Sequence, residues 1–316
     1  MKYLCLLLTV LICPGYSCRP AKPGILLVAN KSDNTLFFIN AETLKLVDST
    51  TTGKAPHEVI VTPDGSRAFT ANMEDNTLSV IDLPALSEVR RIDLAPHGQP
   101  HGLAISPDGK TLFVTTEASR NVLEIDVATE EIRRVFNTGQ EGTHMLAISR
   151  DGKILYAANL GSGTTSVIDL GAGKVVKTLP TGEGTEGIDV SPDGKEVWVT
   201  ARSGSVAVID AASNEITARL PAAGLPIRVK FTPDGKMALV SCMQGGELIV
   251  FDVAARKPLK QIKTGAGPVG VQVKPGGKQV YVANTESNKV AVVDLQQLEV
   301  TGTISAGRAP DGMAYF

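Results

Sequence analysis

The sequence predicts an all-β fold: a seven-bladed β-propeller of four-stranded blades, with the ring closed by the C-terminal strand joining the N-terminal blade. Three observations predict it. A Pro-Asp-Gly turn or a near variant recurs at Asp64, Asp108, Asp151, Asp193, Asp234 and Gly276, at spacings of 44, 43, 42, 41 and 42 residues. Each repeat holds four short β-rich runs, and no useful window carries the 3.6-residue apolar period of a helix. The C-terminus, GRAPDGMAYF at 307–316, matches the opening of other repeats, such as GKAPHEVIVT at 53–62. Four strands per unit at a period of about 42 residues are the signature of propeller blades.

The chain begins with a different kind of segment. Lys2 precedes an apolar run from Leu4 to Ile12, then a breaker at Pro14 and Gly15, then small residues before Cys18. This is the layout of a secretory signal, too short to span a bilayer as a stable helix. Residues 1–17 are expected to be a signal peptide. Cleavage before Cys18 with lipid attachment there resembles a bacterial lipoprotein, although Gly15 and Tyr16 depart from that pattern; ordinary signal-peptidase cleavage is the alternative. The expected location is extracytoplasmic, as a periplasmic or outer-membrane/cell-surface lipoprotein that reaches a membrane only through the anchor. Residues 18–24 form a short linker and 25–316 a single propeller. Cys5, Cys13 and Cys18 belong to the leader region, so Cys242 stands alone in the body and no intradomain disulfide forms.

Residues 25–50 contain ILLVAN, LFFIN and LKLVDS, three strands of a blade that lacks its first. The following repeats carry a run after each turn, such as Leu112–Thr115. A second run then ends in aspartate at Asp82, Asp126, Asp169, Asp210, Asp252 or Asp294. Asp-Gly after Pro is a tight-turn signal, because Pro presets φ and Gly tolerates φ > 0. The run-ending aspartates read as turn caps, and Trp198, in a second strand, as packing between blades. The C-terminal segment then supplies the missing first strand of the first blade.

Composition excludes several functions. Lys plus Arg (31) nearly cancels Asp plus Glu (33), and aromatics are 4% of the chain, so a nucleic-acid surface is not expected. Gly182–Gly187 and Gly265–Gly270 both spell G-x-G-x-x-G but precede strands rather than open helices, so NAD is not expected. A Cys-x-x-Cys-His motif does not occur, so c-type haem is not expected either. Runs such as YVANTESNKVAVVDL (281–295) and FTANMEDNTLSVIDL (69–83) resemble the YVTN repeat of prokaryotic propellers over essentially the whole mature chain. Relatives in that superfamily include surface-layer propellers, lactonases, amine-dehydrogenase heavy subunits and haem d1 domains. The resemblance implies the fold and leaves the function open.

The histidines point to a working face. Counting seven residues back from each turn gives His57, His101, His144, Glu186, Ile227 and Val269, with Asp311 as the equivalent in the closing strand. The next slot holds Glu58, Gly102, Met145, Gly187, Arg228, Gly270 and Gly312. Three of the chain's four histidines share one slot in consecutive repeats, and His97 lies in the loop feeding His101. First strands line the central channel, so these residues form a ring at its mouth, bordered by Asn72, Asn159 and Asn284. Three readings are open. The ring is a set of polar mouth residues bonding loops and water. It is a divalent metal site, zinc or copper, using His57, His101 and His144 with Glu186 or Asp311. Or it is catalytic, with His144, Glu186 and Arg228 similar to the residue types that lactonase-like propellers place in their channels. The preferred expectation is a monomeric binding or interaction propeller. It takes a small molecule, metal or protein at the mouth, with Glu58, Arg228, Asn72, Asn159 and Asn284 as ligand-binding candidates. A structural cell-surface scaffold is the further alternative.

Overall fold

The structure is a computed structural model that describes residues 24–316. The expected signal peptide and the lipidation candidate Cys18 lie outside the described residues. Within them, 28 strands form seven four-stranded antiparallel sheets and no helix is present. Blade 1 pairs the C-terminal strand Pro310–Tyr315 with Ile25–Asn30, then Thr35–Asn40 and Lys45–Thr51. The innermost strands of blades 2 to 7 are Pro56–Val61, Pro100–Ile105, Thr143–Ile148, Thr185–Val190, Pro226–Phe231 and Pro268–Val273. Each packs beside the next around the axis, and the seventh meets the first. The seven-bladed ring and its closure are as the sequence predicts.

Burial follows from the blade stacking. The second and third strands are covered on both faces by neighbouring blades, so their middles are buried throughout rather than alternating. Val197, Trp198 and Val199, and Val206 to Ile209 opposite them, have no exposed surface. Trp198 meets Phe231 and Phe251 of the next blade edge-on, with ring centroids 5.5 and 5.9 Å away. This is the inter-blade packing expected of it. Outer strands face water, and Leu46, Val47 and Leu259 there are about half exposed.

The turns explain their own sequence. Gly65, Gly109, Gly152, Gly194 and Gly235 all have φ between 66° and 72°, where a side chain would be strained. In the first turn Thr62 donates its hydroxyl to Asp64, whose carboxyl is held down at about 2 by that bond and by the Ser66 amide and hydroxyl. The run-ending aspartates accept amides from their own hairpin turns, as Asp210 does from Ser213 at 2.8 Å. Both sets of aspartates are therefore structural. The turns occupy the end of the channel away from the histidines. A cleft of about 950 Å3 between blades 5 and 6 lies there, lined by Asp193, Lys195, Asp234, Lys236 and Arg256. Its opposed charges pair with one another and bring no nucleophile or metal-ligand cluster together.

Candidate functional site

The site is built by an irregularity at the entry end of every inner strand. Pairing with the second strand slips between Pro56 and Glu58, Pro100 and Leu103, Thr143 and Met145, Thr185 and Ile188, Pro226 and Val229, and Pro268 and Val271. The closing strand slips equivalently opposite Val28 and Asn30. A bulge re-aims side chains at the point where it breaks the ladder. Where the residue after the ring slot is glycine, it faces the neighbouring inner strand. A Cβ on Gly102, Gly187, Gly270 or Gly312 would come within 2.7, 2.3, 2.0 or 2.3 Å of the next blade's ring-slot carbonyl. Glycine there lets the blades close up.

The bulge also frees backbone N–H groups, and the second strands supply hydroxyls to receive them. Gly102 and Gly187 amides donate to Thr115 and Thr200 at 2.7 Å, and that of Arg228 to Ser241 at 3.1 Å. The Thr200 hydroxyl donates onward to the Ile227 carbonyl at 2.8 Å, and that of Ser241 to Val269 at 2.6 Å. Each hydroxyl staples one blade to the next directly beneath the ring.

The ring itself is polar over five consecutive blades and apolar over two. Asp311, His57, His101, His144 and Glu186 form the polar arc, and Ile227 and Val269 complete the circle within a hydrophobic cluster. The three imidazoles stand in a row, with centroids 4.7 Å apart for His57 and His101 and 3.8 Å for His101 and His144. His101, His144, Glu186, Arg228 and Asp311 are only 3–5% exposed, so almost no water-sized space lies against them. His57 is half-buried and marks the open side.

A second tier of charge sits above the ring. Lys31, Glu117 and Arg202 each follow the last residue of a second strand, so they too share one repeat slot, which sequence reasoning passed over. Glu117 Oε1 lies 2.6 Å from His144 Nδ1, Lys31 Nζ lies 2.9 Å from Asp311 Oδ2, and Arg202 pairs with Glu186. Arg228 extends across the channel from blade 6. It bonds Glu58 of blade 2 at 2.6 Å and reaches Glu186 of blade 5 at 3.4 Å.

The histidines differ in what holds them. His57 Nδ1 donates to the Ala55 carbonyl at 2.9 Å, and Glu117 holds the Nδ1–H of His144. Among the described residues, the buried side-chain atoms without a hydrogen-bond partner include His101 Nδ1, His144 Nε2 and Asp311 Oδ1. His144 Nε2 stands 3.4 Å from Glu186 Oε1 without bonding it. One ligand atom each from His101, Glu117 and His144 lies within 4.8 Å of the others, an arrangement able to hold a metal ion.

Burial pushes the pKa of His57 down, and pushes that of His101 well below the usual histidine value, with the neighbouring His144, His57 and Arg228 adding to it. Burial opposes charge on His144 too, but Glu117 and Glu186 outweigh it and raise its pKa. Glu186 is held at about 2 against its own burial by His144, Arg202 and Arg228. Asp311 is lowered in the same way, with Lys31 and Arg228 outweighing burial.

These shifts predict opposite pH responses in metal-free protein. The stability contribution of neutral His101 is present above about pH 6.5 and is lost as pH falls toward its depressed folded value, at up to about 1.4 kcal/mol per pH unit. That of His144 is complete below about pH 6.5 and is lost as pH rises through its raised folded value. Urea unfolding from about pH 5 to about pH 8 should therefore show a shallower acid loss for His101→Gln and a shallower loss on the neutral side for His144→Gln. Pairs of identical profiles would refute the assignment.

Several expected ligand residues are otherwise engaged. Asn72 and Asn159 are fully buried, and their amides bond Ser79 and Ser166 at 2.9 and 3.0 Å. Asn284 donates to the Thr264 and Val282 carbonyls. These three asparagines brace loops and blades, and their buried side chains present no ligand-binding surface at the channel. Arg228 is enclosed by carboxylates, so a substrate carboxylate finds no free guanidinium there, contrary to the lactonase-type expectation. Glu58 is likewise paired. Cys242 is fully buried, with its thiol pushed up to about 12 by burial, and is a structural residue.

A family model described as YNCE-like beta-propeller matches residues 9–116, 121–222 and 203–315. The chain belongs to the YNCE-like beta-propeller family. No curated protein matches it. Among solved structures, this YNCE-like propeller is similar to Kuenenia stuttgartiensis hydrazine synthase, with 26% identity and a TM-score of 0.79 over 85% of this chain and 92% of that one. It is also similar to a functionally unknown protein from Desulfotomaculum acetoxidans DSM 771, with 15% identity and a TM-score of 0.79 over 92% of this chain and 98% of that one. The second likeness concerns the fold alone.

Proposed function

We propose that this YNCE-like propeller is an exported binding protein whose working face is the histidine-lined channel mouth, and that the mouth holds one divalent transition-metal ion, zinc or copper. The observation that carries the reading is the state of the imidazoles. His57 and His144 each commit Nδ1 to an acceptor outside the row, which leaves Nε2 as the lone-pair nitrogen, and His101 between them has a buried nitrogen with no partner. Fixing a ring through its far nitrogen is how metal-ligating histidines are oriented. Leaving buried polar atoms unpaired costs about 1–3 kcal/mol each, which a bound ion would offset. The ligand atoms that converge, those of His101, His144 and Glu117, are nitrogen and oxygen donors that suit zinc or copper. The leader-like residues before the propeller support export.

Metal content by mass spectrometry on tag-free mature protein tests the reading, beside a variant carrying His57→Ala, His101→Ala and His144→Ala. The expected result is near-stoichiometric metal in the wild type and little in the variant. Absence of metal from both, after incubation with zinc and copper, would falsify it.

A further inference from the structure

We infer that the turn end of blade 1 faces a lipid bilayer, with Leu46, Val47 and Val89 against its surface, and that the histidine mouth opens away from it. The inference rests on the export reading above and on lipid attachment at Cys18, and it does not depend on the metal. Asn30 pairs with Pro310, beside the ring residue Asp311, whereas Ile25 exchanges backbone hydrogen bonds with Phe316 at the opposite end. Gly24 therefore enters the ring at the turn end, where its carbonyl accepts the Ala41 amide at 2.9 Å. Cys18 stands six residues before Gly24, a tether of at most about 22 Å. A six-residue strand is about 20 Å long, so the mouth lies almost a full tether beyond the point of entry.

The outer strand of blade 1 supplies the surface. Asn40 pairs with Ile25 on one side and with Lys45 on the other, so the chain's entry and the start of the outer strand share the turn end, about 10 Å apart. Leu46 pairs with Ile39, and Val47 is the extra residue of a bulge before Asp48. Both are about half exposed, and among the described residues no other blade shows two large aliphatics on its outer strand. Val89 holds the same bulge position in blade 2 and is also half exposed. The two outer strands meet where the Glu88 amide donates to the Thr50 hydroxyl at 3.0 Å. A bulge spoils an edge as a template for a further strand, so a protein partner that adds a strand fits this rim poorly. Half-exposed aliphatics beside a lipid tether fit the boundary between headgroups and acyl chains. The strand's only charges are Lys45 and Asp48, so no net charge opposes its approach to anionic headgroups.

The test uses the full mature protein, isolated from membranes and placed in vesicles of phosphatidylethanolamine and phosphatidylglycerol that carry a doxyl-labelled lipid. A fluorophore is attached to Val47→Cys or, separately, to Lys54→Cys, which is exposed at the mouth end, while Cys242 is fully buried and stays unlabelled. The expected result is quenching by the labelled lipid and a blue-shifted emission at position 47, with neither at position 54. No quenching at either position would overturn the membrane contact, and quenching at position 54 would overturn the orientation. Both outcomes leave the binding reading standing. Intact mass settles the anchor: a cleaved chain without acyl groups would overturn this inference and leave export in place, and an uncleaved chain would remove the export reading with it.

Discussion

Deletion of Pro310–Phe316 is expected to abolish cooperative unfolding. The segment supplies the inner strand of blade 1, pairing Tyr315, Ala314 and Met313 with Leu26, Leu27 and Val28. It also packs against the inner strands of blades 2 and 7, so its loss opens both joints of the ring. Leu26, Leu27 and Val28 have no exposed surface in the intact protein, and the deletion uncovers them along with an unpaired strand edge. Further ties go with it if the cut is moved to Gly307: the Ala309 amide to Asn288 at 2.9 Å, and the Arg308 amide to Asp33 at 2.6 Å. A typical domain has only about 5–15 kcal/mol of net stability, and losing ring closure is an effect of that order. Thermal and urea unfolding by circular dichroism check it. A truncated chain with the full-length midpoint would show that closure does not hold the ring.

The second large effect is expected at Arg228. Arg228→Met removes the one cation that joins Glu58 of blade 2 to Glu186 of blade 5. Breaking a buried pair by removing one partner typically costs about 3–5 kcal/mol, because the other charge stays buried without compensation. Glu186 retains Arg202 and His144, so the larger part of the loss should come from Glu58. The double variant Arg228→Met, Glu58→Gln should therefore recover a large part of it. Urea midpoints of wild type, both single variants and the double variant form the cycle. A loss at Arg228→Met no larger than a surface substitution would mean that the channel is hydrated at this level.

The fold was readable because its determinants are local and repeated. The turn Asp-Gly, the apolar second strands and the C-terminal copy of a blade opening each carry their own physical reason. Half of the site was readable by the same counting. His57, His101, His144, Glu186 and Asp311 do form one ring. Glu117, Lys31 and Arg202 share another slot, but its seven occupants include Met73, Leu160 and Met243, so no shared residue type drew attention to it. Arg228 follows the ring slot, where strand alternation would turn it away from the channel. The bulge between Pro226 and Val229 changes its heading, and bulges leave little trace in sequence. The asparagines erred in the other direction. Their position was right, but only coordinates show that Ser79, Ser166 and the Thr264 loop already use their amides.

The hydroxyl staples under the ring have a consequence for how such a mouth changes over time. They bind backbone to backbone, as Thr200 binds Gly187 and Ile227, and Ser241 binds Arg228 and Val269. The scaffold therefore takes no account of which side chain a ring station displays: histidine, glutamate, isoleucine and valine all sit on the same strand geometry. In the three blades that carry them, a ring station can change its displayed residue without disturbing the staples, although Glu186 remains tied to Arg202 and Arg228. The chemistry of the mouth can thus diverge between proteins whose rings superpose.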